Sequence, residues 1–202
     1  MNDPVRMGVI ITFDVFAIII ILIAVFRHSQ VESPEMRAGR LGEQFATTLI
    51  REILTDDDVL LTNVPLFAYD KQTELDNLVV NSHGIFIIEV KNYDGQLIGD
   101  EDDFEWLKTS IYPAGGFKQT RVKNPMAQVK RQIFILSQVL KAHYIDVGID
   151  GYVFLTERNS PVESPLILDT QADMDRVIHS GDIRLTSGMI EKVVSVLVPD
   201  EE

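Results

Sequence analysis

The chain has 202 residues, no cysteine, and 31 acidic against 18 basic side chains, for a net charge of −13. That length suits one domain of ordinary size with a short appendage, and the missing thiols exclude disulfides, a cysteine nucleophile and thiolate zinc sites. The charge argues against a polyanionic partner until its distribution is read: residues 1–105 carry −12 and residues 146–202 carry −8, whereas residues 106–145 hold seven Lys or Arg and no acid.

In chain order, Gly8 to Phe26 is nearly all apolar, and a helix of that length spans roughly 28 Å, about the hydrocarbon thickness of a bilayer. No small-x-small cleavage site follows at Ala24-Val25-Phe26-Arg27, so the segment is expected to be a retained anchor rather than a signal peptide. Arg27, Arg37 and Arg40 lie after it and Arg6 alone before it, which favours a single-pass topology with the main domain in the cytoplasm. Asp14 is expensive inside a span, and a shorter span from Val15 to Phe26 accommodates it in the interface.

Residues 30–36 read as a polar linker. Ser33-Pro34-Glu35 opens a helix expected over Glu35–Leu54, with serine as cap and proline in the first turn. Gly39, Glu43, Ala46 and Ile50 share one face of it, and periodicity leaves Glu43 open between a solvated edge and a site acid. Asp56-Asp57-Asp58 reads as a solvated loop. Val59–Leu61 and Val64–Tyr69 form a first strand interrupted near Asn63 and Pro65.

Leu78–Val80 and Ile85–Ile88 flank Asn81-Ser82-His83-Gly84, a hairpin signature. A register symmetric about that turn sets Asp76 opposite Glu89, with Cβ atoms roughly 5 Å apart. Lys91 returns to the same face about 7 Å further along. Facing like charges destabilise a hairpin, and a divalent cation between them removes the conflict. Past the hairpin, Gln96–Gly99 is expected to extend the sheet, and Phe104–Leu107 to form a short strand with Trp106 in the core. Asn124-Pro125 opens a second helix, with Val129, Ile133, Leu136 and Leu140 as its buried stripe and Lys130, Arg131 and Gln132 off it. Gly151–Thr156 reads as a buried strand, Ser160–Pro165 as a loop, and Asp173–His179 and Ser187–Leu197 as terminal helices. The four histidines, His28, His83, His143 and His179, stand at no metal-ligand spacing, and Rossmann, Walker, GxSxG and HExxH patterns are absent.

Several of these segments carry a resemblance. Gly39-Arg40-Leu41-Gly42-Glu43, Glu74-Leu75-Asp76-Asn77, the run Gly84 to Gly95 containing Glu89-Val90-Lys91-Asn92, then Trp106 and Asn124-Pro125-Met126-Ala127-Gln128, resemble in order the nuclease-related domain (NERD) family of the PD-(D/E)xK nuclease superfamily. The resemblance covers roughly residues 36–160. Asn77 departs from it, standing where the family often has histidine after the aspartate. The resemblance implies an α/β fold, a restriction-endonuclease-like mixed sheet flanked by helices, here preceded by the N-terminal transmembrane helix. The expected domains are an anchor over 1–29, a linker over 30–36, a nuclease-related domain over 37–160 and a C-terminal helical extension over 161–202 packing on it.

The resemblance further implies a metal-dependent phosphodiesterase. Asp76 and Glu89, with Glu43, would hold Mg²⁺ or Mn²⁺, which take oxygen ligands and retained waters. Lys91 would stabilise developing charge or orient the attacking water, and Gln128 would help position water or phosphate. Nucleic acid, DNA foremost, is the expected partner, with Lys118, Arg121, Lys123, Lys130 and Arg131 of the acid-free block as its phosphate contacts. The alternative is a membrane-tethered module of the same fold that binds nucleic acid or protein without cleaving it.

Overall fold

The computed structural model describes residues 32–68, 70–112 and 114–198. The expected membrane span at residues 8–26 lies outside them, and no described helix is long and apolar enough to cross a membrane. The chain divides into compact units at Ala38 and Gly39. Of the first, residues 32–38 are described: they begin helix α1 (Pro34–Ile53), with Ser33 Oγ accepting the Met36 N–H at 3.1 Å.

In the second unit, α1 buries Gly42, Ala46 and Ile50. This stripe is turned slightly from the expected one. Gly39 meets nothing within 4 Å of an added Cβ, whereas a Cβ on Gly42 would lie 2.7 Å from that of Asn92. Glycine at 42 therefore sets how closely the helix approaches the sheet, and Glu43 sits half-buried at the rim of that contact.

Strands β1 (Val59–Ala68), β2 (Lys71–Asn81), β3 (Gly84–Lys91), β7 (Ile149–Leu155) and β8 (Ile167–Leu168) form a mixed sheet in the order β1-β2-β3-β7-β8. The first three run antiparallel, and β3, β7 and β8 are parallel. β1 is one continuous strand, not two segments. Its ladder with β2 passes over one position, Asn63 opposite Asp76, where Asn63 takes φ 53°. Pro65 keeps its place beside Glu74 because β1 is an edge strand, with its N–H side free of ladder bonds.

β3 is buried from Gly84 to Val90, and its period of two divides the core. Ile85 and Ile87 face Leu78, Val80 and the helix α2 (Pro125–Ala142) residues Ile135, Leu136 and Leu140. Phe86, Ile88 and Val90 face Ala46 and Ile50 of α1 and Met174, Val177 and Ile178 of α3 (Gln171–His179). Helix α4 (Ser187–Leu197) adds Val193 to the first of these clusters. Residues after 160 thus contribute β8 to the sheet as well as two helices.

The Gln96–Gly99 segment does not extend this sheet. It begins a second one, in which β4 (Gln96–Ile98), β5 (Glu105–Ile111) and β6 (Phe117–Lys123) run antiparallel. Its inner face places Leu97, Trp106 and Val122 against Met126 and Val129 of α2 and Val153 and Leu155 of β7. Trp106 is fully buried, as expected, with its indole N–H on the Asp100 carbonyl at 2.9 Å. β6 and β8 were not expected from the sequence.

Asp58 is not a solvated loop acid. Its side chain is 2 % exposed. It accepts from Thr55 N at 2.6 Å, Thr55 Oγ1 at 2.8 Å and Asn81 Nδ2 at 2.7 Å, and meets His179 Nε2 at 3.1 Å. Burial opposes its charge, but these partners outweigh burial and hold its carboxyl below the usual range. They tie the α1–β1 loop to the last turn of α3.

Candidate active site

The site is built where β2 and β3 leave their hairpin. The turn is closed by Asn81, whose Oδ1 accepts the N–H groups of His83 at 2.9 Å and Gly84 at 3.2 Å. The ladder runs from Asn81 opposite Gly84 to Asn77 opposite Ile88, so the symmetric register read from the sequence holds and the next step sets Asp76 against Glu89. Asp76 Oδ2 accepts the Val90 N–H at 2.8 Å. The gap in the β1–β2 ladder falls at this aspartate.

Glu89 is 1 % exposed and its carboxylate is fully engaged. Oε1 is ion-paired with Lys91 Nζ and accepts from Gln128 Nε2 at 2.6 Å; Oε2 accepts from Gln132 Nε2 at 2.5 Å. Burial disfavours the Lys91 ammonium, but Glu89 beside it and Asp76 behind it outweigh burial and hold its pKa above the ordinary value. Asp76 moves the other way for an acid. Burial, then the facing Glu89 charge, push its pKa up to about 7 against the pull of Val90 N–H and Lys91, with Glu43 adding to the rise. Tyr93, beside them, is also raised, chiefly by burial.

Of the residues singled out in the sequence, Asp76, Glu89, Lys91 and Gln128 come together. Gln128 enters from the first turn of α2, fixed by Asn124: its Oδ1 accepts the Met126 N–H at 2.9 Å, and its Nδ2 donates to the carbonyls of Glu101 and Asp103 at 2.8 Å each. Glu43 is near enough to act on the charge of Asp76, yet among the described residues no three His, Cys, Asp or Glu form a group able to hold a metal. Gln132 corrects the sequence reading. Expected off the buried stripe, it is fully buried and donates both to Glu89 and to the Glu74 carbonyl at 3.0 Å. Its spacing of four from Gln128 was the available signal, since residues that far apart stack on one helix face.

The basic block is acid-free in sequence but not in space. Antiparallel pairing and the 100–103 loop bring acids to it: Lys108 meets Asp94 at 2.8 Å, Arg121 meets Glu105 at 3.8 Å, and Lys130 meets Asp102 at 3.9 Å. Arg131 donates to the Gln72 carbonyl at 3.1 Å. Lys118 and Lys123 have no ion-pair partner among the described residues, and both are exposed on β6, as are Phe117 at its start and Ile111, the β5 residue paired with Phe117.

The donors facing one another are carboxylates, without sulfur or imidazole, and a half-buried one, Asp76, is forced against a buried one, Glu89. That chemistry fits Mg²⁺ or Mn²⁺, which bind through one or two carboxylates and otherwise keep water or substrate oxygens. Asp76 and Glu89 are the residues that would hold the ion.

The nuclease-related domain family matches residues 38–156. An uncharacterized protein of Bacillus anthracis is 27% identical over 122 residues, covering 59% of this chain and 55% of that protein. The chain thus spans about half the length of this curated relative. No solved structure matches significantly. Matching well over half the chain and holding the Asp76, Glu89 and Lys91 constellation, the sequence belongs to the nuclease-related domain family, within the PD-(D/E)xK-like nuclease superfamily.

Proposed function

We propose that this protein is a metal-dependent nuclease that hydrolyses phosphodiester bonds in DNA and is tethered to a membrane by residues 8–26. The observation that carries the reading is the buried Glu89 carboxylate, ion-paired with Lys91 and facing an Asp76 whose own charge is suppressed. A structural ion pair needs no second acid facing it at the edge of the core, and like charges so placed mark working sites.

Asp76 and Glu89 would hold the divalent ion. When bound, that ion neutralises phosphate charge and supplies an acidified water. Lys91 keeps its proton because two carboxylates surround it, and so presents a fixed positive charge to a phosphoryl oxygen as charge develops there. Gln128, carried on the N-terminal turn of α2, holds the Glu89 carboxylate where free helix N–H groups and the helix dipole favour a phosphate. Lys118, Arg121, Lys123, Lys130 and Arg131 would bind the nucleic-acid backbone outside the reacting group.

One observation favours the second reading, a binding module without catalysis: Lys91, Gln128 and Gln132 already take up both oxygens of Glu89. The two readings part in a cleavage assay with linear DNA, circular DNA and single-stranded RNA in Mg²⁺, Mn²⁺ or EDTA. The nuclease reading expects metal-dependent cleavage, lost to background in Asp76→Ala and reduced on the order of 10²–10³-fold in Lys91→Ala. Full activity in either variant would remove these residues from the chemistry. Salt-sensitive binding without cleavage would establish the module instead.

A further inference from the structure

Gln132 is an expensive residue where it stands. It lies fully buried on α2 between Val129, Ile135 and Leu136, a position where an apolar side chain would pack without desolvating an amide. Its Nε2 donates to Glu89 Oε2 at 2.5 Å and to the Glu74 carbonyl at 3.0 Å. Both partners are acceptors when Glu89 is ionised, so the orientation of the amide is forced. Oε1 then points away from them, buried and without a hydrogen-bond donor among the described residues. An orphaned buried acceptor is rare enough to require a reason.

We propose that Gln132 is a positioning residue for the cation site, an inference that rests on the metal-dependent reading above. Its amide N–H group fixes the Glu89 carboxylate by tying Oε2 to the β2 backbone at Glu74. Its Oε1, a buried acceptor left without a donor, would be open to a water carried by the ion that Asp76 and Glu89 would hold. Gln128 and Gln132, one helical turn apart, grip the two oxygens of Glu89 from the same side, so the carboxylate cannot rotate to follow Lys91. Partners that orient a ligand in this way typically set metal affinity by 10–100-fold.

The test is Mn²⁺ binding by calorimetry to the full chain in detergent micelles, comparing the wild type with Gln132→Leu and with Gln132→Met, a more adaptable apolar replacement. Thermal unfolding without metal is recorded beside each titration. The expected result is a Kd for Mn²⁺ raised 10–100-fold in variants that still unfold cooperatively, with a Tm below that of the wild type because Glu89 Oε2 and the Glu74 carbonyl lose their donor. A Kd within twofold of the wild type in a folded variant would overturn the positioning role. A lowered Tm with unchanged affinity would do so too, leaving Gln132 as a structural tie between α2 and β2. Failure of the wild type itself to bind Mn²⁺ would overturn the metal-dependent reading and this inference with it.

Discussion

Asp76 is half-protonated near pH 7 when no cation is present, because burial and the Glu89 charge both resist a second negative charge. An unfolded aspartate titrates near 3.8, so the folded pKa is raised. The stabilising contribution of this group is complete below about pH 4 and is lost as pH rises through about 7. The metal-free protein should therefore lose stability over that interval by at most about 1.4 kcal/mol per pH unit from this carboxyl. Asp76→Asn should remove that component, as urea unfolding of both proteins at successive pH values would read; parallel curves would mean that Asp76 titrates normally. This acid, Glu89 and Lys91 were legible in the sequence because a strand repeats every two residues and the turn fixes the register. Gln132 was not legible, because the triplet Lys130-Arg131-Gln132 has the composition of a solvated face and only the tertiary packing of α2 turns one member inward.

Among the elements, helix α2 does most to set the site, and Gly151 sets α2. A Cβ at Gly151 would come within 2.4 Å of Val129 Cγ1 and 2.8 Å of Ile133 Cδ1, so the helix lies on β7 at a distance only glycine permits. Gly151→Ala should cost about 1–3 kcal/mol through overpacking. It should also slow cleavage by lifting Gln128 and Gln132 away from Glu89. Thermal unfolding and the cleavage rate measure both effects, and a stable, fully active variant would show that Val129 and Ile133 yield without moving the helix. Helices α1, α3 and α4 were legible with boundaries within two residues, and α2 was legible from its cap and apolar stripe without its end. β6 was not: Phe117 to Lys123 carries only one residue, Val122, that packs against a core cluster, too little alternation to distinguish a strand from a basic loop. β8 is two residues long and is defined wholly by the neighbour it pairs with.

Across the whole molecule, charge is segregated in sequence and partly recombined by folding. A net charge of −13 repels nucleic acid at long range, so binding must rest on cations left without acidic neighbours. Lys118 and Lys123 meet that condition among the described residues. Replacing both with alanine should reduce the slope of log affinity against log salt for DNA, measured in EDTA, by about 2, since each phosphate contact contributes roughly 0.9. An unchanged slope would place the nucleic acid on another face.

Asn124 joins three parts of this architecture at one residue. Besides capping α2, it holds the 101–103 loop through its side chain, and its N–H donates to the Phe104 carbonyl at 3.1 Å. β6 ends at Lys123 and α2 begins at Pro125, so the arm formed by β5 and β6 and the helix bearing both glutamines are joined through this one pinned residue as well as through Trp106 and Val122 in the core. β4 holds the arm as far as Thr109, and past that pairing it runs out to a tip where a Cβ on Gly115 or Gly116 would meet nothing within 4 Å. Tip residues can therefore be lengthened, shortened or exchanged as a cassette while the carboxylates stay in register, whereas a change at the joint is felt at both ends.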